Sequence, residues 1–139
     1  MKIFNWDGSR KNLLSLLWIY LTLNYIYCDV FTLHLSQYLE AFLSGNVGGM
    51  EITEEFLLIF AVIMQIPIVM ILLSRVLTFK LNKAANIIAG CITTSVQAIT
   101  VTMGGTLHYM LFSFFEISTG LLIIYLAVTW KNNSSTREL

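Results

Sequence analysis

Asp29 and Glu116 are the residues of this chain best placed to do chemistry, because each falls inside a long apolar stretch. A charge at the centre of a bilayer costs at least ~2.5 kcal/mol on insertion scales. Such a carboxyl must therefore pair, face a wet cavity, or keep its proton. A carboxyl held this way suits proton coupling or capture of a small cationic or amphipathic molecule. Helical spacing shows which groups share their faces. Trp18, Thr22, Tyr25, Asp29, Thr32 and Ser36 form one stripe, and His108, Phe112, Glu116 and Thr119 form another, with Gly120 beside it. A third stripe holds Asn86, Gly90, Thr93, Gln97, Thr100 and Gly104, and a fourth runs Ala61, Gln65, Ile68 to Arg75. The candidate ligand-binding or proton-coupling set is thus Asp29, Glu116, Asn24, Tyr25, Gln65, Gln97 and His108. Helix packing alone accounts for Thr22, Thr93, Thr100 and Gly90, since small residues allow close approach and hydroxyls bond across helices. His108, two turns from Glu116, fits either a proton relay from the outer surface or an interfacial histidine without a role.

The elements that must position these groups follow from composition and length. The chain has 139 residues, 57% hydrophobic and 12% charged, with a mean hydropathy of +0.76. A soluble domain carries roughly 25% charged residues, so this balance excludes a disordered chain, a basic nucleic-acid binder and a soluble enzyme of usual composition. A hydrocarbon core of ~30 Å takes about 20 apolar residues as helix. Four stretches reach that length, at about 13–33, 56–77, 84–103 and 107–130. The fold expected is all-α: a single four-helix transmembrane domain with the lipid bilayer as its surroundings. The first stretch is too long for a signal peptide and lacks a small-residue cleavage site, so it is read as retained.

Orientation follows from charge. With the N-terminus cytoplasmic, Lys2, Arg10, Lys11, Arg75, Lys80, Lys83, Lys131 and Arg137 all fall at the inner ends, and the outer connections hold Glu51, Glu54 and Glu55. This is the positive-inside bias. It puts both termini in the cytoplasm. Trp6, Trp18 and Trp130 cluster at the same end, where indoles favour the headgroup level. Arg75 is expected to snorkel to lipid phosphates.

Local signals refine the boundaries. Thr53 before Glu54 and Glu55 reads as a helix N-cap with carboxylates in the first turn. Leu35, Leu39 and Phe42 continue the helical spacing, so the first helix is expected to extend as an amphipathic turn or two, ending near Gly45. Pro67 strands the carbonyl of Ile63 and predicts a kink. Cys28 and Cys91 lie ~22 Å and ~10 Å from the inner edge by the helical rise, too different in depth for a disulfide. No metal-ligand spacing, cofactor motif or phosphate loop is present; Gly45 to Gly49 reads as a turn without a following Lys.

Several segments together resemble a known family: Leu17-Trp18-Ile19, Asn24-Tyr25-Ile26-Tyr27-Cys28-Asp29, Gly45-Asn46-Val47-Gly48-Gly49, Ile66-Pro67-Ile68-Val69-Met70, Leu73-Ser74-Arg75-Val76-Leu77, Asn86-Ile87-Ile88-Ala89-Gly90 and His108-Tyr109 before Glu116. The chain resembles small bacterial four-helix integral membrane proteins of unknown function over nearly its whole length. The resemblance implies the fold and a place in the bacterial inner membrane, and carries no activity. It also implies an acidic residue before the Ile-Pro pair, where this chain has Gln65.

The residues therefore support three functions. The first is binding or transport of a small cationic, amphipathic or proton-coupled ligand in a polar cavity within the bundle, with transport calling for a homo-oligomer. The second is an intramembrane enzyme acting on a lipid, sterol or quinone by carboxylate acid–base chemistry. The third is an accessory subunit of a membrane complex, contacted through Glu51, Glu54 and Glu55 or through Lys80 and Lys83. Binding or transport is the expectation taken forward.

Overall fold

The computed structural model describes residues 9–47 and 49–131. Of the residues discussed above, Lys2, Trp6, Gly48 and Arg137 lie outside this range. The described residues form five helices, α1 (Arg10–Leu33), α2 (Ser36–Leu43), α3 (Glu54–Val76), α4 (Phe79–Thr102) and α5 (Leu107–Val128), with two-residue strands β1 (Asn46–Val47) and β2 (Met50–Glu51) between α2 and α3. Four of the helices are long and apolar enough to cross a membrane. They close a ring in which α1 packs on α3 and α5, and α4 packs on α5 and α3.

The boundaries follow side-chain capping. Ser9, Thr53 and Thr106 each accept a hydrogen bond from the amide three residues on, at 3.4, 3.2 and 3.4 Å. These contacts satisfy amides that a helix start leaves free. Helix α4 begins at Phe79, ahead of the apolar stretch expected at 84–103, directly behind the extended Thr78. The first helix does not run on continuously. Leu35 adopts an extended conformation, and the chain resumes as α2, which stops before Gly45 at φ +72°. That positive φ suits glycine and ends the helix as expected. A short antiparallel hairpin, pairing Asn46 with Glu51 and Val47 with Met50, occupies the connection read as a turn. The pattern of α3 continues unbroken through the buried Pro67.

The bundle is packed unequally along its length. Leu14, Trp18, Leu21, Met70, Ala89 and Ile123 form the buried core, all from the half nearest the basic residues. A polar network crosses the same half. Trp18 Nε1 donates to Asn86 Oδ1 at 2.7 Å, and Ser74 Oγ donates to the same oxygen at 3.2 Å. Asn86 Nδ2 donates to the Asn82 carbonyl and Oδ1 at 2.9 and 2.7 Å, and Asn82 Nδ2 donates to Ser74 O at 2.6 Å. Trp18, Ser74, Asn82 and Asn86 are fully buried. Trp18 is thus a core residue and not a surface anchor: its indole N–H needs a partner, and Asn86 supplies one inside the bundle.

Four basic side chains at this end, Arg10, Lys11, Arg75 and Lys83, bond to protein. Arg75 Nε donates to Ser15 Oγ at 3.0 Å, which ties this exposed side chain to α1. Lys11 Nζ donates to Leu77 O at 2.5 Å, Lys83 Nζ to Val128 O at 2.8 Å, and Arg10 to Leu126 O at 3.1 Å. Each satisfies a carbonyl in the last turn of a helix or just beyond it, where the helix dipole favours a cation. Close approach of α4 and α5 depends on two glycines. A Cβ on Gly90 would stand 2.8 Å from Ile124 Cγ1, and one on Gly120 would collide with the Thr94 hydroxyl.

Candidate functional site

Toward the other end the helices loosen. The first half of α3 is largely exposed, and the buried positions of α1 stop at Cys28. A cleft of about 210 Å³ opens there, lined by Asp29 and Thr32 of α1, Tyr38 and Phe42 of α2, Val47 of the hairpin, and Gly104, Gly105, Thr106 and Tyr109 at the turn into α5. Asp29 therefore sits in an open cleft with aromatic walls. Tyr38, Phe42 and Tyr109 were not read as site residues from the sequence. The signal available was the amphipathic spacing past Leu33, which marked a helix but not the face it turns to Asp29.

Glu116 lies deeper. It is 2% exposed, and neither carboxyl oxygen has a hydrogen-bond partner. Tyr25, Cys28 and Asp29, on the facing turns of α1, are within electrostatic range of it. Glu116 is not among the residues lining the cleft. Below it, Tyr25 and Gln97 line a small cavity of about 20 Å³ with Ile63, Met64, Pro67, Thr93 and Val96. That is room for about one water. Ile63, whose carbonyl loses its amide donor to Pro67, and Pro67 itself both border this space, beside polar side chains able to serve a freed backbone group. Gln97 Nε2 also donates to Ser113 Oγ at 2.8 Å, tying α4 to α5.

Of the remaining candidates, His108 borders the cleft through its partners, while Asn24 and Gln65 lie elsewhere. His108 contacts Thr32 Oγ1 at 3.1 Å and Thr106 Oγ1 at 2.8 Å, so it clasps the start of α5 to α1. Phe112, at 5.9 Å from the Phe31 ring, occupies the turn between His108 and Glu116. Asn24 Nδ2 donates to Tyr20 O of its own helix at 2.8 Å. Gln65 is exposed, on the side of α3 away from the buried Pro67, Met70 and Ser74. The sequence stripe through Ala61, Gln65 and Ile68 thus faces outward, because Pro67 and Ser74 fix the inward line of that helix. Of the seven candidates, Asp29, Glu116, Tyr25 and Gln97 form one column along α1, α4 and α5.

The structure therefore combines four apolar helices with a row of polar groups that runs from an open cleft at Asp29 toward an end packed by buried hydrogen bonds. Such helices suggest a multi-pass membrane protein. The chain belongs to the family of unknown function DUF6326, whose model matches residues 1–136. No curated protein and no solved structure matches it.

Proposed function

We propose that this protein binds a small organic cation at the mouth of the bundle and couples binding to proton exchange at Glu116. Asp29 supplies the negative charge of the cleft, and Tyr38, Phe42 and Tyr109 supply ring faces that attract a cation by about 0.5–2 kcal/mol each when suitably placed. Tyr25 and Gln97 offer neutral hydrogen-bonding groups below. The observation that carries this reading is Glu116: a carboxyl 2% exposed with two unpartnered oxygens serves no packing purpose. Deprotonation there becomes affordable only when a positive charge arrives nearby.

The same reading gives the chain a bacterial inner-membrane location, with both termini and the basic end on the cytoplasmic side and the cleft facing outward. The distribution of Lys and Arg supports that orientation.

The test uses purified protein in weakly buffered detergent with tetraphenylphosphonium as probe, following binding calorimetrically and protons with a pH dye. The parent is expected to bind and to release protons. Asp29→Asn should weaken binding at least tenfold, and Glu116→Gln should abolish proton release. Parent-like binding and release in both variants, with helical content intact, would remove the proposal.

A further inference from the structure

Gln65 sits midway along α3 (Glu54–Val76). At about 100° per residue it falls roughly opposite the inward line of Ile63, Pro67, Met70 and Ser74. It is exposed, and its neighbours on that outer face are Leu58, Ala61, Ile68 and Leu72. Given that α3 crosses a bilayer, the Gln65 amide stands at the middle of the hydrocarbon with no hydrogen bond to any described residue. Asn24, by contrast, quenches its Nδ2 on the carbonyl four residues back. A primary amide has two donors and a two-lone-pair acceptor, more than one spare helix carbonyl can satisfy, and leaving it bare in hydrocarbon is costly.

We infer that the outer face of α3 is an interface with a second copy of this chain, centred on a Gln65–Gln65 pair. The occupant follows from the chemistry of the side chain. An amide is self-complementary: across a two-fold axis each Gln65 donates one N–H to the oxygen of the other, so one contact gives each copy both a donor and an acceptor bond. Ala61, one turn before Gln65, lets two α3 helices approach closely, and interhelical amide bonds of this kind drive association in membranes. α3 also has the smallest share of its span buried within the chain, leaving most of its surface for such a contact.

The experiment measures energy transfer between donor- and acceptor-labelled full-length protein in phosphatidylcholine vesicles as the lipid-to-protein ratio is raised. The parent is expected to show transfer that falls with dilution along a dimer isotherm. Gln65→Leu should raise the apparent dissociation constant about tenfold, and Gln65→Asn, which keeps the amide, should restore part of it. Ala61→Phe should block association while helical content stays unchanged. A parent that is monomeric at every ratio, or a Gln65→Leu isotherm that overlays the parent's, overturns the inference. The cation-binding reading is measured separately in detergent, so failure of one leaves the other distinguishable.

Discussion

Asn86→Ala is the most informative single perturbation of the fold. It deletes an oxygen that accepts from Trp18 Nε1 at 2.7 Å and Ser74 Oγ at 3.2 Å, removing a tie from α4 to α1 and one of the two that α4 makes to Ser74 of α3. Interhelical side-chain bonds in membranes contribute about 0.6–2 kcal/mol each, so the two together amount to roughly 1–4 kcal/mol. The indole N–H is then left buried without an acceptor, a penalty of about 1–3 kcal/mol that water can reduce by entering the vacated space. The expected loss is about 3 kcal/mol. Trp18→Phe removes the donor but leaves Asn86 bound to Ser74, and should cost about half as much. Thr100→Val, whose hydroxyl donates only to Gln97 O in its own helix, serves as control and should change stability by less than about 0.5 kcal/mol. Reversible unfolding in mixed micelles, followed by circular dichroism, reports all three. The double variant should be less damaging than the sum of the singles, because the two residues share one bond. If Asn86→Ala unfolds within about 0.5 kcal/mol of the parent, the network is not what holds the sealed end together.

Three further outcomes are expected. Gly120→Val should destabilise the bundle by about 1–3 kcal/mol in the same unfolding assay, because the new side chain meets Thr94 where α4 and α5 touch; a neutral result would contradict that close approach. Glu116→Met should leave stability unchanged or raise it by about 1 kcal/mol, since it replaces a carboxyl without partners by an apolar group of similar length; a loss above about 1 kcal/mol would assign Glu116 a structural bond instead. An impermeant maleimide should label Asn46→Cys in intact cells and Lys80→Cys only after lysis, and the reverse pattern would invert the proposed orientation.

The four long apolar helices were legible because apolar length is a cumulative signal, robust to any one residue. Capping was legible too: Thr53 before two glutamates marks a helix start that depends only on local chemistry. Asp29 and Glu116 stood out by type, and the structure sets them in range of each other on facing helices. The rotation of α3 was harder to read. Nearly every residue of that helix is apolar, so no polar face announces which side is buried, and Gln65 was read inward when Pro67 and Ser74 define the buried line. Trp18 was ambiguous for another reason. An indole near a basic end serves equally as a surface anchor or as a donor to a buried acceptor, and only the position of Asn86 on a neighbouring helix decides. The role of Lys11 and Lys83 was likewise hidden, since carbonyls at the ends of other helices leave no trace in sequence.

The uneven tightness of the bundle sets a direction for its motions. Opening fluctuations should begin among the thinly packed turns around Asp29 and die out before Trp18, where several hydrogen bonds would have to part at once. A solute bound there, as proposed, would meet a closed floor. On the proposed cation-binding reading, release of the ligand by the way it came then needs no parting of the Asn86 clasp, and the molecule would work as a cup rather than a conduit.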